Sequence, residues 1–300
     1  MEICIVSGAR PNFIKVAPLI RRMDNLRQSG SSIRYSLVYT GCKNDPTLEG
    51  TLFDDLSIHR PDVYLGADCE SLNELTGQVM SRFEVYLQQY PTDAVVVVDD
   101  LASTMATAIV TKKQGILLAH IAAGTRSFDI NMPKEINRLV IDGLSDLLFT
   151  AGISNNSIAN REGAELSKVY MVGNILIDNL RFCRQRFEDA GKDLVKSPTF
   201  PTIKDGKYLV LTLNRKQLLA NEEKMEALLQ AIDAEATSMD TTVIAPLRSR
   251  AQETVAQIAS KRNLKALRLT RPLDYLEFGS SQTRAMWPRK PRSTAFLASP

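Results

Sequence analysis

The chain has little of the chemistry that thiols and imidazoles provide. Its 300 residues include four cysteines, Cys4, Cys42, Cys69 and Cys183, and two histidines. The cysteines form no C-x-x-C pair, and such scattered cysteines are typical of free thiols in a reducing compartment. We therefore expect a cytoplasmic protein.

A strong excess of one charge and long apolar runs are also missing. The net charge is +3, and no dense run of Lys or Arg with interleaved aromatic residues is present. No apolar stretch approaches the ~20 residues that a membrane helix needs, and the N-terminus lacks the basic-then-apolar pattern of a signal peptide. We therefore expect neither nucleic acid nor a membrane as a partner.

What the chain does have is an alternation of short β-rich runs with longer amphipathic stretches. The first series predicts strands at residues 2–6, 35–39, 94–98, 117–121, 147–150 and 169–172, with helices at 12–27, 72–89 and 103–112 between them. The second series predicts strands at 208–213, 241–245 and 266–269, with helices at 221–234 and 251–262. Alternation of this kind indicates an α/β fold with parallel sheets.

Two such series predict two Rossmann-like domains that face each other across a cleft, with the ligand at the carboxyl ends of the strands. A length of 300 residues also suggests about two domains. We place the first domain at residues 1–168 and a partial second domain at residues 169–278.

The first strand leads into the most informative segment, G-A-R-P-N-F-I-K at residues 8–15. Pro11 suits a first helical turn, so Arg10 and Lys15 lie near a helix N-terminus, where free N–H groups favour an anion. The segment matches neither G-x-G-x-x-G nor G-x-x-x-x-G-K-[ST], which disfavours a dinucleotide or ATP site. On spacing alone, an ordinary strand-to-helix turn with solvated basic residues is an equal alternative.

This segment resembles the opening motif of the non-hydrolysing UDP-N-acetylglucosamine 2-epimerases, a G-[TA]-R-P turn followed by a Lys. Further segments resemble the family in the same order along residues 1–278: T-G at 40–41, H-I-A-A-G-T-R-S-F-D at 120–129, M-P-K-E-I-N-R at 132–138, D-L-L-F-T at 146–150, V-G-N-I-L-I-D at 172–178, L-T-L-N-R at 211–215 and P-L-D-Y-L-E-F at 272–278. The resemblance implies a glycosyltransferase-B-like fold, a UDP-N-acetylhexosamine or UDP as ligand, no cofactor, and a family-like homodimer.

The resemblance also implies a reaction and a set of site residues. In the family, carboxylates and a His help to remove the C2 proton of UDP-N-acetylglucosamine, and UDP leaves and adds back to give UDP-N-acetylmannosamine. Asp100 matches the family's catalytic Asp, although an N-cap of the following helix is an alternative use. The expected substrate-binding residues are Arg10, Lys15, Arg126, Asn137, Arg138, Arg215 and Arg248.

Several acid/base positions of the family are changed. Ala122 stands where the family has the Glu of H-V-E-A-G, and Lys134 stands at the first Glu of P-E-E-x-N-R, which leaves Glu135 as the second expected catalytic carboxylate. Asn214 replaces the His of L-T-L-H-R. Losing groups that act as a unit removes most of a rate enhancement. We therefore expect an epimerase by descent that is inactive; the alternatives are a noncatalytic UDP-sugar-binding relic and a glycosyltransferase of the same architecture.

Two further details complete the set of departures. Asp99 replaces the Gly that precedes the family's catalytic Asp, and we expect it to point away from Asp100, because neighbouring residues of a strand face opposite ways. His120 is expected to tie a strand end rather than to titrate in catalysis.

Residues 279–300 break the pattern, because they are basic, lack acidic residues and show no periodicity. A one-base shift of a back-translation of residues 282–298 reads T-D-S-G-N-V-A-E-E-A-A-V-Y-G-V-P-C. This string resembles the family's next segment, D-S-G-x-x-x-E-E-A-x-x-x-G-x-P, which holds the UDP phosphates and ribose. We expect a frameshift near Gly279 that truncates the second domain; the alternative is a disordered basic tail.

Overall fold

The structure is a computed structural model that describes residues 1–48, 50–196, 208–213 and 216–286. The chain divides into two compact units, Met1–Phe182 and Cys183–Pro300. Among the described residues, no helix combines the length and the apolar character that crossing a membrane would need.

The first unit alternates strands with helices along its whole length. Its strands are β1 (Glu2–Ser7), β2 (Arg34–Tyr39), β3 (Val63–Tyr64), β4 (Ala94–Val98), β5 (Leu117–Ala123), β6 (Leu147–Thr150) and β7 (Val169–Met171). Its helices are α1 (Arg10–Gln28), α2 (Gly50–Leu56), α3 (Leu72–Gln89), α4 (Ala102–Lys113), α5 (Pro133–Leu144) and α6 (Ile153–Arg161), and α7 (Ile175–Lys196) continues into the second unit.

The seven strands form one parallel sheet in the order β3-β2-β1-β4-β5-β6-β7. From β1 to β3 the chain adds strands toward one edge of the sheet, and from β4 to β7 it adds them toward the other edge. The strand order therefore reverses between β1 and β4, which are hydrogen bonded to each other. In open α/β sheets, ligands bind outside the carboxyl ends of the strands at such a switch point. The segments that follow β1 and β4 are therefore brought together at the place where a site is expected.

Burial on both faces explains why the central strand is an unbroken apolar run. All five residues of β4, Ala-Val-Val-Val-Val, are buried. Val95 and Val97 pack in one cluster with Phe83 of α3 and Leu118 of β5. A strand covered on both faces by helices needs no polar alternation, which is the pattern seen here.

The second unit contains a three-stranded parallel sheet in the described residues, in the order β10-β9-β8. Its elements are β8 (Tyr208–Val210), α8 (Lys216–Leu219), α9 (Glu222–Ser238), β9 (Thr242–Ala245), α10 (Ser249–Arg262), β10 (Leu267–Leu269) and α11 (Tyr275–Met286). Met225 and Leu229 of α9 pack with Val243 of β9 and Val255 of α10 to form its core. The predicted strands and helices of this series all appear, with ends that shift by a few residues.

The structure differs from the sequence-based expectation at two boundaries. The residues Val169–Met171 were assigned to the second domain, but as β7 they pair with β6 and so belong to the first sheet. The predicted break of the pattern after Phe278 also differs, because α11 continues to Met286 and carries the buried residues Ser280 and Ser281. The remainder of the expected out-of-frame tail, residues 287–300, lies outside the described residues.

Candidate functional site

The turn between β1 and α1 is held by its own polar residues and by a close neighbour. Asn12 is buried, and its Oδ1 accepts hydrogen bonds from the backbone N–H groups of Gly8 at 2.9 Å and Ala9 at 3.2 Å. A Cβ atom at Gly8 would overlap the hydroxyl oxygen of Ser103 on α4. A side chain at residue 8 would therefore displace Ser103, and the turn presents Arg10 as the first residue of α1.

Lys15 forms an ion pair with Asp99, which follows β4. The other carboxylate oxygen of Asp99 accepts a hydrogen bond of 2.9 Å from Nδ2 of Asn12. Asp99 has a φ of 63°, so it has left the strand conformation and the argument from strand alternation does not apply to it. The family's Gly at this position was the available signal, since glycine is the usual residue at positive φ.

Asp100 lies at the centre of a second cluster formed with α5. Its Oδ2 accepts hydrogen bonds from Nε of Arg138 at 2.8 Å and from Nη2 of Arg138 at 2.6 Å. Lys134 Nζ lies 3.3 Å from Oδ1 of Asp100, and Nδ2 of Asn137 donates to its backbone carbonyl at 2.9 Å. The N-cap of α4 is Leu101 rather than Asp100. The alternative N-cap reading of Asp100 is therefore wrong, and four residues that the sequence singled out do converge.

Glu135 shares Arg138 with this cluster, and its other contacts are with the loop before α5. Its side chain is 3% exposed. The carboxylate accepts hydrogen bonds from N and Oγ of Ser127, both at 2.9 Å, from N of Phe128 at 3.0 Å, and from Arg138 at 3.1 Å. Burial alone would raise the pKa of Glu135, but these donors outweigh it and lower the pKa to about 2.

Such a carboxylate stays ionised and has its lone pairs occupied, which suits an anchor for the loop better than a proton carrier. Glu135, which the sequence analysis expects to be catalytic, therefore has a structural role here, because its hydrogen bonds hold Ser127 and Phe128 in place.

Arg126, an expected substrate-binding residue, lies in a buried network with its side chain 1% exposed. Its Nη1 is 2.8 Å from Oδ2 of Asp142, and its guanidinium also pairs with both carboxylate oxygens of Glu162. Asp142 also accepts from Nδ1 of His120 at 2.6 Å and from N of Gly124 at 2.9 Å. Burial favours the neutral acid, but His120 and Arg126 outweigh it and lower the pKa of Asp142.

His120 is fixed at both ring nitrogens. Its Nδ1 faces the carboxylate of Asp142, and its Nε2 lies 3.0 Å from the backbone carbonyl oxygen of Asp99. Both partners offer oxygen atoms to the ring, so the two contacts together fix its orientation. The expectation that His120 ties a strand end is confirmed, since it links β5 to the residue after β4.

Ala122 lies at an irregularity near the end of β5. The pairing with β6 shifts between Ile121 and Ala123, and Ala122 has a φ of 69°. The family's Glu would extend from this point, and the chain offers only a methyl group there.

The remaining expected residues belong to the second unit. Arg248 is the N-cap residue of α10. Asn214 and Arg215 lie outside the described residues.

Taken together, the first unit is a Rossmann-like α/β fold whose basic and acidic side chains gather at the switch point of a parallel sheet, the arrangement of a protein that binds an anionic, nucleotide-like ligand. A family model described as UDP-N-acetylglucosamine 2-epimerase matches residues 25–287, and the chain belongs to this family.

Individual relatives agree with this assignment. The UDP-N-acetylglucosamine 2-epimerase of Methanocaldococcus jannaschii is 29% identical over 286 residues, which cover 93% of this chain and 75% of that protein. Its crystal structure in complex with UDP-GlcNAc and UDP has a TM-score of 0.76 at 28% identity, covering 93% of this chain and 75% of that chain. The UDP-GlcNAc 2-epimerase of Neisseria meningitidis, solved bound to UDP-GlcNAc, shares the fold with a TM-score of 0.84 at 23% identity, over 95% of this chain and 76% of that one. The predicted family and the glycosyltransferase-B-like fold class are thereby confirmed.

Proposed function

We propose that this chain is a UDP-N-acetylglucosamine 2-epimerase by descent that keeps residues for holding a UDP-sugar but does not turn it over. Family membership and the likeness to an epimerase that binds UDP-GlcNAc and UDP support the ligand class. Arg10, Lys15, Asn137 and Arg138 are the residues of the first unit that we assign to substrate binding. We also expect a cytoplasmic protein that forms a homodimer. Sedimentation of the purified chain would test the oligomeric state.

The reaction sets demands that can be compared with this site. A base takes the C2 proton, the C1–O bond breaks with its electrons going to UDP, and a glycal forms. UDP then adds back to C1 while an acid returns a proton to the opposite face of C2. The site must therefore offer groups that exchange protons near neutral pH on both faces of the sugar.

The observation that carries the proposal is the state of the carboxylates after β4 and on α5. Asp99 is paired with Lys15, and Asp100 is paired with Arg138 and lies 3.3 Å from Lys134. Glu135 anchors a loop with a pKa of about 2. A cation at residue 134 stabilises the ionised form of Asp100 and cannot itself act as a base without a strongly lowered pKa. Each carboxylate is thus engaged in holding the protein together.

The test is proton NMR of UDP-N-acetylglucosamine incubated with the full chain in D₂O. We expect no UDP-N-acetylmannosamine signals and no loss of the C2 proton signal, while the M. jannaschii relative, as assay control, shows both. The variant Ala122→Glu/Lys134→Glu/Asn214→His, which returns the family's residues, is expected to recover C2 exchange before full turnover. Turnover by the parent chain would contradict the proposal.

We propose a frameshift as the origin of residues 282–298, because a one-base shift of their back-translation gives both the D-S-G and the E-E-A motifs of the family in the same frame. The test is sequencing of the gene across the codons for residues 275–300. We expect that adding or removing one base near codon 279 opens a frame that runs beyond residue 300. An early stop codon in that frame would contradict this origin.

A further inference from the structure

We propose that Asp99 is a built-in competitor anion, whose carboxylate occupies Lys15 and weakens binding of nucleotide phosphates at the end of β1. The inference rests on the proposed function, in which Lys15 helps to bind a UDP-sugar, and it takes the phosphates as the part of that ligand which Lys15 contacts. It assigns a role to a residue that the family's sequence pattern does not contain, since a glycine there has no side chain.

The carboxylate is in direct contact with the residue that an incoming phosphate would use. Asp99 Oδ1 forms an ion pair with Lys15 Nζ, and Asp99 Oδ2 accepts a hydrogen bond of 2.9 Å from Nδ2 of Asn12. The side chains of Lys15 and Asp99 are only 24% and 16% exposed. A charge pair withdrawn from water in this way is screened less than a surface pair. A phosphate must therefore displace the carboxylate or accept a like charge beside it.

The backbone holds the carboxylate in this position. The carbonyl oxygen of Asp99 accepts a hydrogen bond from Nε2 of His120 at 3.0 Å, and its N–H donates to the carbonyl of Ile121 at 3.3 Å. Its φ of 63° is uncommon for residues other than Gly, Asn and Asp. Because β5 fixes both backbone groups and Asn12 holds Oδ2, the carboxylate is positioned beside Lys15.

Two substitutions remove the charge without straining the backbone. Asp99→Gly returns the family's residue, and Asp99→Asn keeps the shape and the tolerance for positive φ. The matched control is Asp146→Asn. It removes another carboxylate that pairs with a lysine, Lys112, at 2.7 Å, but this residue lies just before β6. Thermal unfolding of each variant checks that the fold is kept.

The experiment measures the Kd of UDP and of inorganic pyrophosphate for the full chain, by calorimetry and by ligand-observed NMR for millimolar binding. We expect both Asp99 variants to bind UDP at least tenfold more tightly than the parent, which corresponds to about 1.4 kcal/mol. The gain should disappear in Asp99→Gly/Lys15→Gln, and Asp146→Asn should match the parent.

The remaining outcomes separate this inference from the proposed function. If the parent and the Asp99 variants bind UDP with the same measurable Kd, the competitor role is overturned and the proposed UDP site is supported. A gain for pyrophosphate without any binding of UDP supports the competitor role and overturns the nucleotide site. Binding of neither probe by any variant overturns both.

Discussion

The substitution Glu135→Gln offers the sharpest test of the loop anchor. Its carboxylate is surrounded by donors from Ser127, Phe128 and Arg138. A Gln amide keeps one acceptor oxygen but turns an NH₂ group toward these donors. Lowering the pKa from 4.5 to about 2 corresponds to roughly 3 kcal/mol of stabilisation of the ionised form. Because the residues it holds are exposed and water screens part of the interaction, we expect a loss of about 2 kcal/mol at pH 7.

The pH dependence of this loss has a defined sign. Since the folded-state pKa of Glu135 is depressed, its stabilisation is complete above the unfolded value of 4.5 and disappears as the pH falls through about 2. The difference between parent and variant should therefore be largest near neutral pH and shrink steadily between pH 5 and pH 2.

Urea unfolding followed by far-ultraviolet circular dichroism at several pH values, with amide exchange to isolate the first unit, provides the measurement. Glu165→Gln is the control, because this carboxylate is 66% exposed and pairs with Lys168 at 2.9 Å. The loss for this variant should stay below about 0.5 kcal/mol. A difference for Glu135→Gln below that of the control, or one that does not change with pH, would refute the reasoning.

Two further substitutions test the framework of the site. Gly8→Ala should destabilise the first unit by about 1–3 kcal/mol because its methyl group would overlap the Ser103 hydroxyl, and adding Ser103→Ala should recover part of that loss in urea unfolding. Asp142→Asn removes the buried carboxylate that Arg126 and His120 share, so we expect a loss of about 3–5 kcal/mol. A melting temperature equal to that of the parent for either single variant would contradict the corresponding contact.

Much of the fold could be predicted from local sequence. The run Ala94–Val98 is apolar at every position, and it predicts a strand covered on both faces, as the structure shows. Two short elements of the first unit were not predicted from the sequence. β3 has two residues and α2 has seven, which are too few to show a hydrophobic period. The sequence analysis did not predict the continuation of α11 to Met286, because residues 279–286 begin with a glycine and carry no clear apolar stripe.

For the site, the sequence by itself determined which residue types follow each strand. Comparison with the family's motifs indicated which acid/base groups have been replaced. Only the tertiary structure decided which charges neutralise one another. Lys15 and Asp99 are separated by 84 residues along the chain, and they meet because β1 lies beside β4 in the sheet. Strand order is set by packing of the whole unit rather than by local propensity, so a lysine read as a free phosphate ligand proves to be held by a carboxylate.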